Sequence, residues 1–171
     1  EQLAREQLAQ QAATAGLLEP QFQVAVVKST RPMPACAAPV TLETADSRSA
    51  QRMRFVAVCP GSNGWRYEML ARGSITAQVA VTSAPVTANT PLQAADVTLA
   101  RRDVTMVPDS ISSLPGAVGL SSRRSLRAGE VLRQGQLAAP MLIKRGSAVS
   151  IVARKEQVEV SMAGEALDPG A

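Results

Sequence analysis

Residues 52–71 read RMRFVAVCPGSNGWRYEMLA, and no other stretch restricts the fold as tightly. Met53, Phe55, Ala57 and Cys59 alternate with Arg52, Arg54 and two valines. Beyond the turn, Trp65, Tyr67, Met69 and Ala71 alternate with Arg66, Glu68 and Leu70. A period of two belongs to a strand with one buried face. The intervening PGSNG is turn chemistry, because Pro-Gly and Asn-Gly accept the positive φ that tight reversals need. Two such runs joined so closely predict an antiparallel hairpin. The same stretch holds one of two cysteines, the only tryptophan and the only tyrosine.

The segments around it extend the pattern. EQLAREQLAQQAATAG is rich in helix formers, and Ala4, Leu8, Ala12 and Ala15 recur at three- and four-residue steps. A helix over residues 2–15 follows, stopped by Gly16, with a thin alanine face that packs on an edge. From Gln21 the period becomes two through Phe22, Val24 and Val26. RPMPACAAPV carries three prolines in close succession and reads as an irregular connection. SITAQVAV continues the strand signal with Ile75, Ala77, Val79 and Val81. A helix and a small antiparallel sheet therefore fill residues 1–83.

TSAPVTANTPL is small, polar and proline-bearing, and reads as a linker. We place a boundary near residue 84, with Ser83, Ala84, Pro85 and Val86 as a hinge and residues 84–171 as a second domain. That half carries a weak internal repeat. ANTPLQAADV (88–97) aligns with AGEVLRQGQL (128–137), each with a turn, then Leu92 or Leu132, then Val97 or Leu137. Each copy predicts a strand before the turn and a short helical turn after it. RRDVTMV and GLSSRRSL are short strand candidates flanking PDSISSLPG. Val149, Ile151 and Ala153, then Val158, Val160 and Met162, predict a terminal hairpin with RKEQ at its turn. The fold class is mostly β (α+β).

Several functions are disfavoured. The longest apolar runs fall short of the ~20 residues of a membrane helix, so no membrane span is expected. The net charge of +4 is spread over both halves with both signs interspersed, the pattern of a solvated surface. All four aromatic residues lie at or before Tyr67. The C-terminal half thus lacks the stacking platforms that single-stranded nucleic acid uses, and we expect no nucleic-acid partner. There is no histidine, which removes the commonest general base and metal ligand.

Chemistry-bearing residues are few. Cys36 and Cys59 lack the close spacing of a zinc or redox pair and have no histidine to activate a nucleophilic thiol. Either they form a disulfide or both are free buried thiols. The proline-flanked Cys36 and a chain starting at Glu1, not Met, favour the disulfide. Closing such a loop would stabilise by about 3 kcal/mol and place the chain in an oxidising compartment. The non-Met start also leads us to expect that a signal peptide has been removed. Asp103 and Asp109 read as turn and cap residues, not as a catalytic carboxylate pair. No nucleotide-binding loop or nucleophile motif is present, so no catalytic residue, cofactor, metal or small-molecule substrate is expected. The densest basic clusters are Arg123, Arg124 and Arg127, and Lys144 with Arg145. They are solvated charge or a surface for an acidic patch on a protein partner.

The ordered set of RMRFVAVCPGSNGWRYEML, RGSITAQVAV, PLQAADVTLARRDV and GLSSRRSLRAGEVLRQGQLAAPMLIKRGSAVSIVA resembles the FlgA-like chaperones of flagellar basal-body P-ring assembly. The likeness is most specific over Arg123–Val152, at Gly129, Leu132, Leu137, Lys144, Gly146 and Val149. The resemblance implies a SAF-like β-clip domain over residues 84–171, whose two related halves account for the repeat. It implies a periplasmic protein without catalytic residues that binds the P-ring subunit, and Cys36 and Cys59 match the family's cysteine pair. Such a protein would hold its client without ATP. The family continues past this point, so the C-terminal strands are expected to be truncated and their open edge to be paired by a neighbour or by the chain's own end. Two other readings use the same β-clip: a structural component of a pilus secretion system, and a sugar-acid-binding module.

Overall fold

The computed structural model describes residues 1–140, 143–155 and 158–168. The helix α1 spans Gln2–Thr14 and buries Ala4, Leu8 and Ala12. Gly16 follows at φ +62° and ends it, as its left-handed freedom allows. The strands are β1 (Leu18–Val27), β2 (Thr41–Asp46), β3 (Met53–Cys59), β4 (Trp65–Thr82) and β5 (Val97–Asp103). They form one antiparallel sheet in the order β1-β4-β3-β2, with β5 also on β4. The protein is mostly β, with α1 on one face of this sheet.

The expected hairpin is β3–β4, in register from Cys59↔Trp65 to Met53↔Ala71. Its turn works differently from the Asn-Gly reading. Positive φ falls on Gly61, at +112°. Gly64 is required for another reason: a Cβ there would lie 2.4 Å from the Cys59 carbonyl oxygen.

β4 is one strand of 18 residues, where the sequence pattern had suggested two. Gly73 sits in its middle, not at a break. A Cβ on Gly73 would lie 2.6 Å from Leu8 Cδ1, so this glycine lets α1 settle onto the sheet. β3 takes β4 residues 65–71 and β5 takes residues 76–82 along the same edge, while β1 lies along the other. β5 begins at Val97, upstream of the RRDVTMV candidate. β2 was not anticipated, because Thr41–Asp46 has almost no buried face.

Alternation along β4 divides the core. Ala77, Val79 and Val81 join a cluster with Leu8, Met53, Phe55, Ile75 and Val104. Ala80 joins a second cluster with Val86, Leu92, Val97, Ile111, Leu126 and Leu132. The end of β4 is buried on both faces as a result.

The second cluster is enclosed by the internal repeat, which extends beyond the aligned segments to residues 81–97 and 121–137. A 3-10 turn follows in each copy, at Ala94–Asp96 and Gln134–Gln136. The main-chain bonds are reciprocal. Val86 and Leu126, equivalent in the two copies, donate to each other's carbonyls at 3.0 and 2.9 Å. Asn89 donates to the Ser122 carbonyl and Gly129 to the Thr82 carbonyl, both at 2.7 Å. Leu92 donates to Leu120 and Leu132 to Ala80. The copies clasp each other about a local two-fold axis near Val86 and Leu126. GLSSRRSL contributes only β6 (Ser121–Ser122), paired with β7 (Leu137–Ala138).

The terminal hairpin is β8 (Ala148–Lys155) with β9 (Val158–Glu165). It forms a two-stranded sheet of its own. Pairing of its outer edge by the chain's own end is not seen among the described residues, and residues 169–171 lie outside them.

Candidate partner-binding surface

A disulfide joins Cys36 to Cys59, with Cα atoms 5.9 Å apart. It pins the proline-rich connection 28–40 onto the end of β3, beside the start of β4. Two further bonds do the same: Trp65 Nε1 donates to the Ala35 carbonyl at 3.0 Å and the Tyr67 hydroxyl donates to the Arg31 carbonyl. The rare residues of the β3–β4 hairpin thus fasten a loop. Asp103 and Asp109 serve separate structural ends. Asp103 accepts from the Thr105 amide at 2.9 Å, and Asp109 accepts from Arg133 Nε at 2.9 Å.

Ser83 and Val86 are held by main-chain bonds, Ser83 to the Asp96 carbonyl at 2.8 Å and Val86 to Leu126. Ala84 and Pro85 between them are exposed. The Thr82 hydroxyl, one residue before, donates to the Arg127 carbonyl.

Arg123, Arg124 and Arg127 lie in the second copy of the repeat, on the loop between β6 and the turn at Gly129. Arg124 is not free: its guanidinium pairs with Glu130. The Arg127 amide donates to the other Glu130 oxygen at 3.0 Å. The Arg124 hydrogen bond, ahead of the smaller contribution from the Arg127 amide, holds the Glu130 carboxyl below its ordinary range, against a partial desolvation that raises it. The Arg123 and Arg127 side chains are exposed and carry no ion pair among the described residues. Arg102 reaches the same place, its guanidinium 4.0 Å from where a Cβ on Gly129 would stand. Lys144 and Arg145 stand apart, at the base of the β8–β9 hairpin, where the Lys144 amide donates to the Ser147 hydroxyl at 3.1 Å. No bond joins the two basic groups among the described residues.

One feature of the surface went unread in the sequence. In the β8–β9 register Ile151 faces Met162, Val149 faces Gly164 and Ala153 faces Val160. Directly opposed residues share a face, so one face of the hairpin is apolar from Val149 to Ala153 and from Val160 to Gly164. Ile151, Val160 and Met162 on it are 55%, 59% and 62% exposed. An isolated two-stranded sheet is marginal in water, and contiguous exposed apolar surface marks interaction sites. The alternation of these residues was visible in the sequence. That no described residue covers them was not. Among the described residues no group of His, Cys, Asp or Glu is arranged to hold a metal ion, and no helix is long and apolar enough to cross a membrane.

The family model for chaperones for flagella basal body P-ring formation matches residues 77–171. No curated protein matches the chain. The fold is similar to that of Salmonella FlgA in its open form, with a TM-score of 0.63 at 18% identity, covering 100% of this chain and 80% of that one. Salmonella FlgA in its closed form gives a TM-score of 0.54 at 19% identity, covering 99% and 84%. The flagellar protein FlgA of Thermotoga maritima gives 0.50 at 14% identity, covering 100% and 73%.

Proposed function

The chain belongs to the family of chaperones for flagella basal body P-ring formation, and from that membership we propose that it binds the P-ring subunit in the periplasm and holds it, without ATP, until assembly around the rod. The observation that carries this reading is the family match itself, which spans the clasped repeat and the terminal hairpin together. The uncovered face of Ile151, Val160 and Met162 supports it, since a holding protein works by lending apolar surface to a client. The disulfide supports an oxidising compartment. The absence of nucleotide motifs from the sequence supports action by binding, with no enzymatic step.

In this proposal the client meets two surfaces. The hairpin face takes apolar side chains, and Arg123 and Arg127, with Lys144 and Arg145, meet acidic residues on the client, Arg124 being already held by Glu130. Residues 1–83 and 84–171 act as two domains that adjust through Ser83–Val86. Opening there has to work around the Ser83–Asp96 and Val86–Leu126 bonds and the β4–β5 ladder, which joins residues 76–82 to 97–103 across the same boundary.

The test is capture of purified P-ring subunit by the immobilised chain, repeated with Arg123→Ser/Arg127→Thr, with Lys144→Ser/Arg145→Ser, and with Ile151→Ser/Met162→Ser. Saturable capture by the parent chain, weakened most by the hairpin variant, is the expected result. Capture of equal strength by all four chains would remove the proposed surfaces. No capture at all would remove the proposed client. Distances measured in solution between labels on the two domains test the hinge, and a single rigid distance unchanged by client would count against it.

A further inference from the structure

The outer face of the large sheet, opposite α1, carries a groove that the clasped repeat does not share. Its floor is β1 at 23–25 and β4 at 72–74, and its wall is the turn at 49–52. The register Gln23↔Ser74 and Ala25↔Arg72 places these four side chains on that outer face. Six polar side chains line it: Gln23, Ser49, Gln51, Arg52, Arg72 and Ser74. None of the six makes a side-chain hydrogen bond or ion pair with the described residues, and no carboxylate lines the groove.

Most of the sheet's other arginines are matched. Arg66 meets Glu43 at 2.7 Å. Arg54 meets Glu68 at 3.6 Å and Asp46 at 3.7 Å. Arg48 meets Asp46 at 3.1 Å. Arg101 meets Glu19 at 3.0 Å, and among the described residues Arg102 on β5, away from the groove beside Gly129, is the other sheet arginine without a carboxylate. Arginine presents a rigid fork of donors suited to carboxylate geometry, and the amide and hydroxyl groups alongside can bond a peptide main chain.

We propose that the groove binds an acidic protein segment, whose carboxylates pair with Arg52 and Arg72 while its main chain bonds Gln23, Gln51, Ser49 and Ser74. This site is independent of the client surfaces above, which lie on the repeat and the terminal hairpin. It can fail while they stand, and they can fail while it stands.

The test is anisotropy of a labelled oligo-glutamate peptide titrated with the full chain at low salt, with oligo-glutamine as the uncharged counterpart and inorganic phosphate as competitor. Saturable binding of the glutamate peptide alone is expected. Arg52→Gln and Arg72→Gln should each weaken it about tenfold, the scale of one charge-assisted bond. Arg66→Gln, at an arginine already held by Glu43, should leave it nearly unchanged. All three side chains are exposed, and an unaltered thermal midpoint will show that each variant folds. Equal weakening by all three would mean diffuse attraction to a basic protein and would overturn the site. So would binding that ignores Arg52 and Arg72, or the absence of saturable binding. Displacement by phosphate at concentrations equal to the peptide would assign the groove to a small inorganic anion instead.

Discussion

The two copies of the clasped repeat have the same backbone and opposite surfaces. Residues 81–97 and 121–137 follow the same course, turn for turn, and exchange equivalent main-chain bonds. Their buried positions agree at Val86 with Leu126 and Leu92 with Leu132, and nearly so at Val97 with the partly buried Leu137. Their exposed positions do not. Ser83, Ala84, Thr87 and Gln93 in the first copy become Arg123, Arg124, Arg127 and Arg133 in the second, and Thr90 becomes Glu130. The fold is specified by a few aliphatic positions and one turn position per copy. The exposed positions differ, and all the basic charge lies on one side.

The hardest way to break the pair is through its core. Leu92 and Leu132 are 1% and 0% exposed, and each donates its main-chain N–H across to the partner copy. Leu92→Ala and Leu132→Ala should each cost about 2–5 kcal/mol, read as the shift in urea midpoint. Similar losses would show that the copies are equivalent in energy as well as in backbone. A loss confined to one would mean that the other copy is held mainly by its neighbours.

The turn positions come next. Asn89 has φ +59° and Gly129 φ +75°. A left-handed conformation costs a side chain with a Cβ about 1–2 kcal/mol, and asparagine tolerates it better than most. Gly129→Ala should lower stability by about 1 kcal/mol. Asn89→Gly should be close to neutral by the same measurement. A large loss in Asn89→Gly would show that the asparagine side chain contributes more than its backbone tolerance.

How much of this was legible follows from what periodicity can carry. The repeat, α1, the β3–β4 hairpin and the β8–β9 hairpin were readable because buried residues recur there at fixed spacing. β2 was not, because its residues are nearly all exposed and leave no apolar trace. The continuity of β4 was hidden by Gly73, which reads as a break in sequence and is a packing device in space. The cysteine pair could be narrowed to a disulfide or two thiols. The basic clusters were visible as charge, but the loss of Arg124 to Glu130 was not. The groove was invisible for a simpler reason: Arg52 and Arg72 are far apart in sequence and meet only through the register of β3 on β4.

Acid separates the copies more gently. The folded-state pKa of Glu130 lies below its unfolded value, because Arg124 hydrogen-bonds the charged form and the Arg127 amide assists. A lowered carboxyl pKa contributes stability that is present above the unfolded value and is lost as pH falls through the folded one. Thr90, at the equivalent place, titrates not at all. Glu130→Thr should therefore lower the urea midpoint modestly at neutral pH, flatten part of the acid limb, and converge with the parent in acid. Asp46, lowered to about 2 chiefly by its hydrogen bond from Arg48, acts in the same direction. Its contribution should survive in Glu130→Thr and vanish in Asp46→Asn. An acid limb that Glu130→Thr leaves unchanged would mean that the Arg124 pair exists equally in the unfolded chain.

The smallest effect on stability should come from moving the charge across the axis, and it bears most directly on the client surface. Arg123→Ser, Arg124→Ala and Arg127→Thr, combined with Ser83→Arg, Ala84→Arg and Thr87→Arg, transfer the cluster to the equivalent positions of the first copy at unchanged net charge. Exposed ion pairs contribute little, so the unfolding midpoint at neutral pH should barely shift. Capture of the P-ring subunit should nevertheless fall, because the arginines would leave the copy that leads directly into β7 and the terminal hairpin. If capture persists at parent strength and keeps its salt dependence, position is irrelevant and long-range attraction by net charge suffices. If capture falls and its salt dependence weakens with it, the second copy's arginines act from where they stand, and the asymmetry of an otherwise symmetric clasp is its binding face.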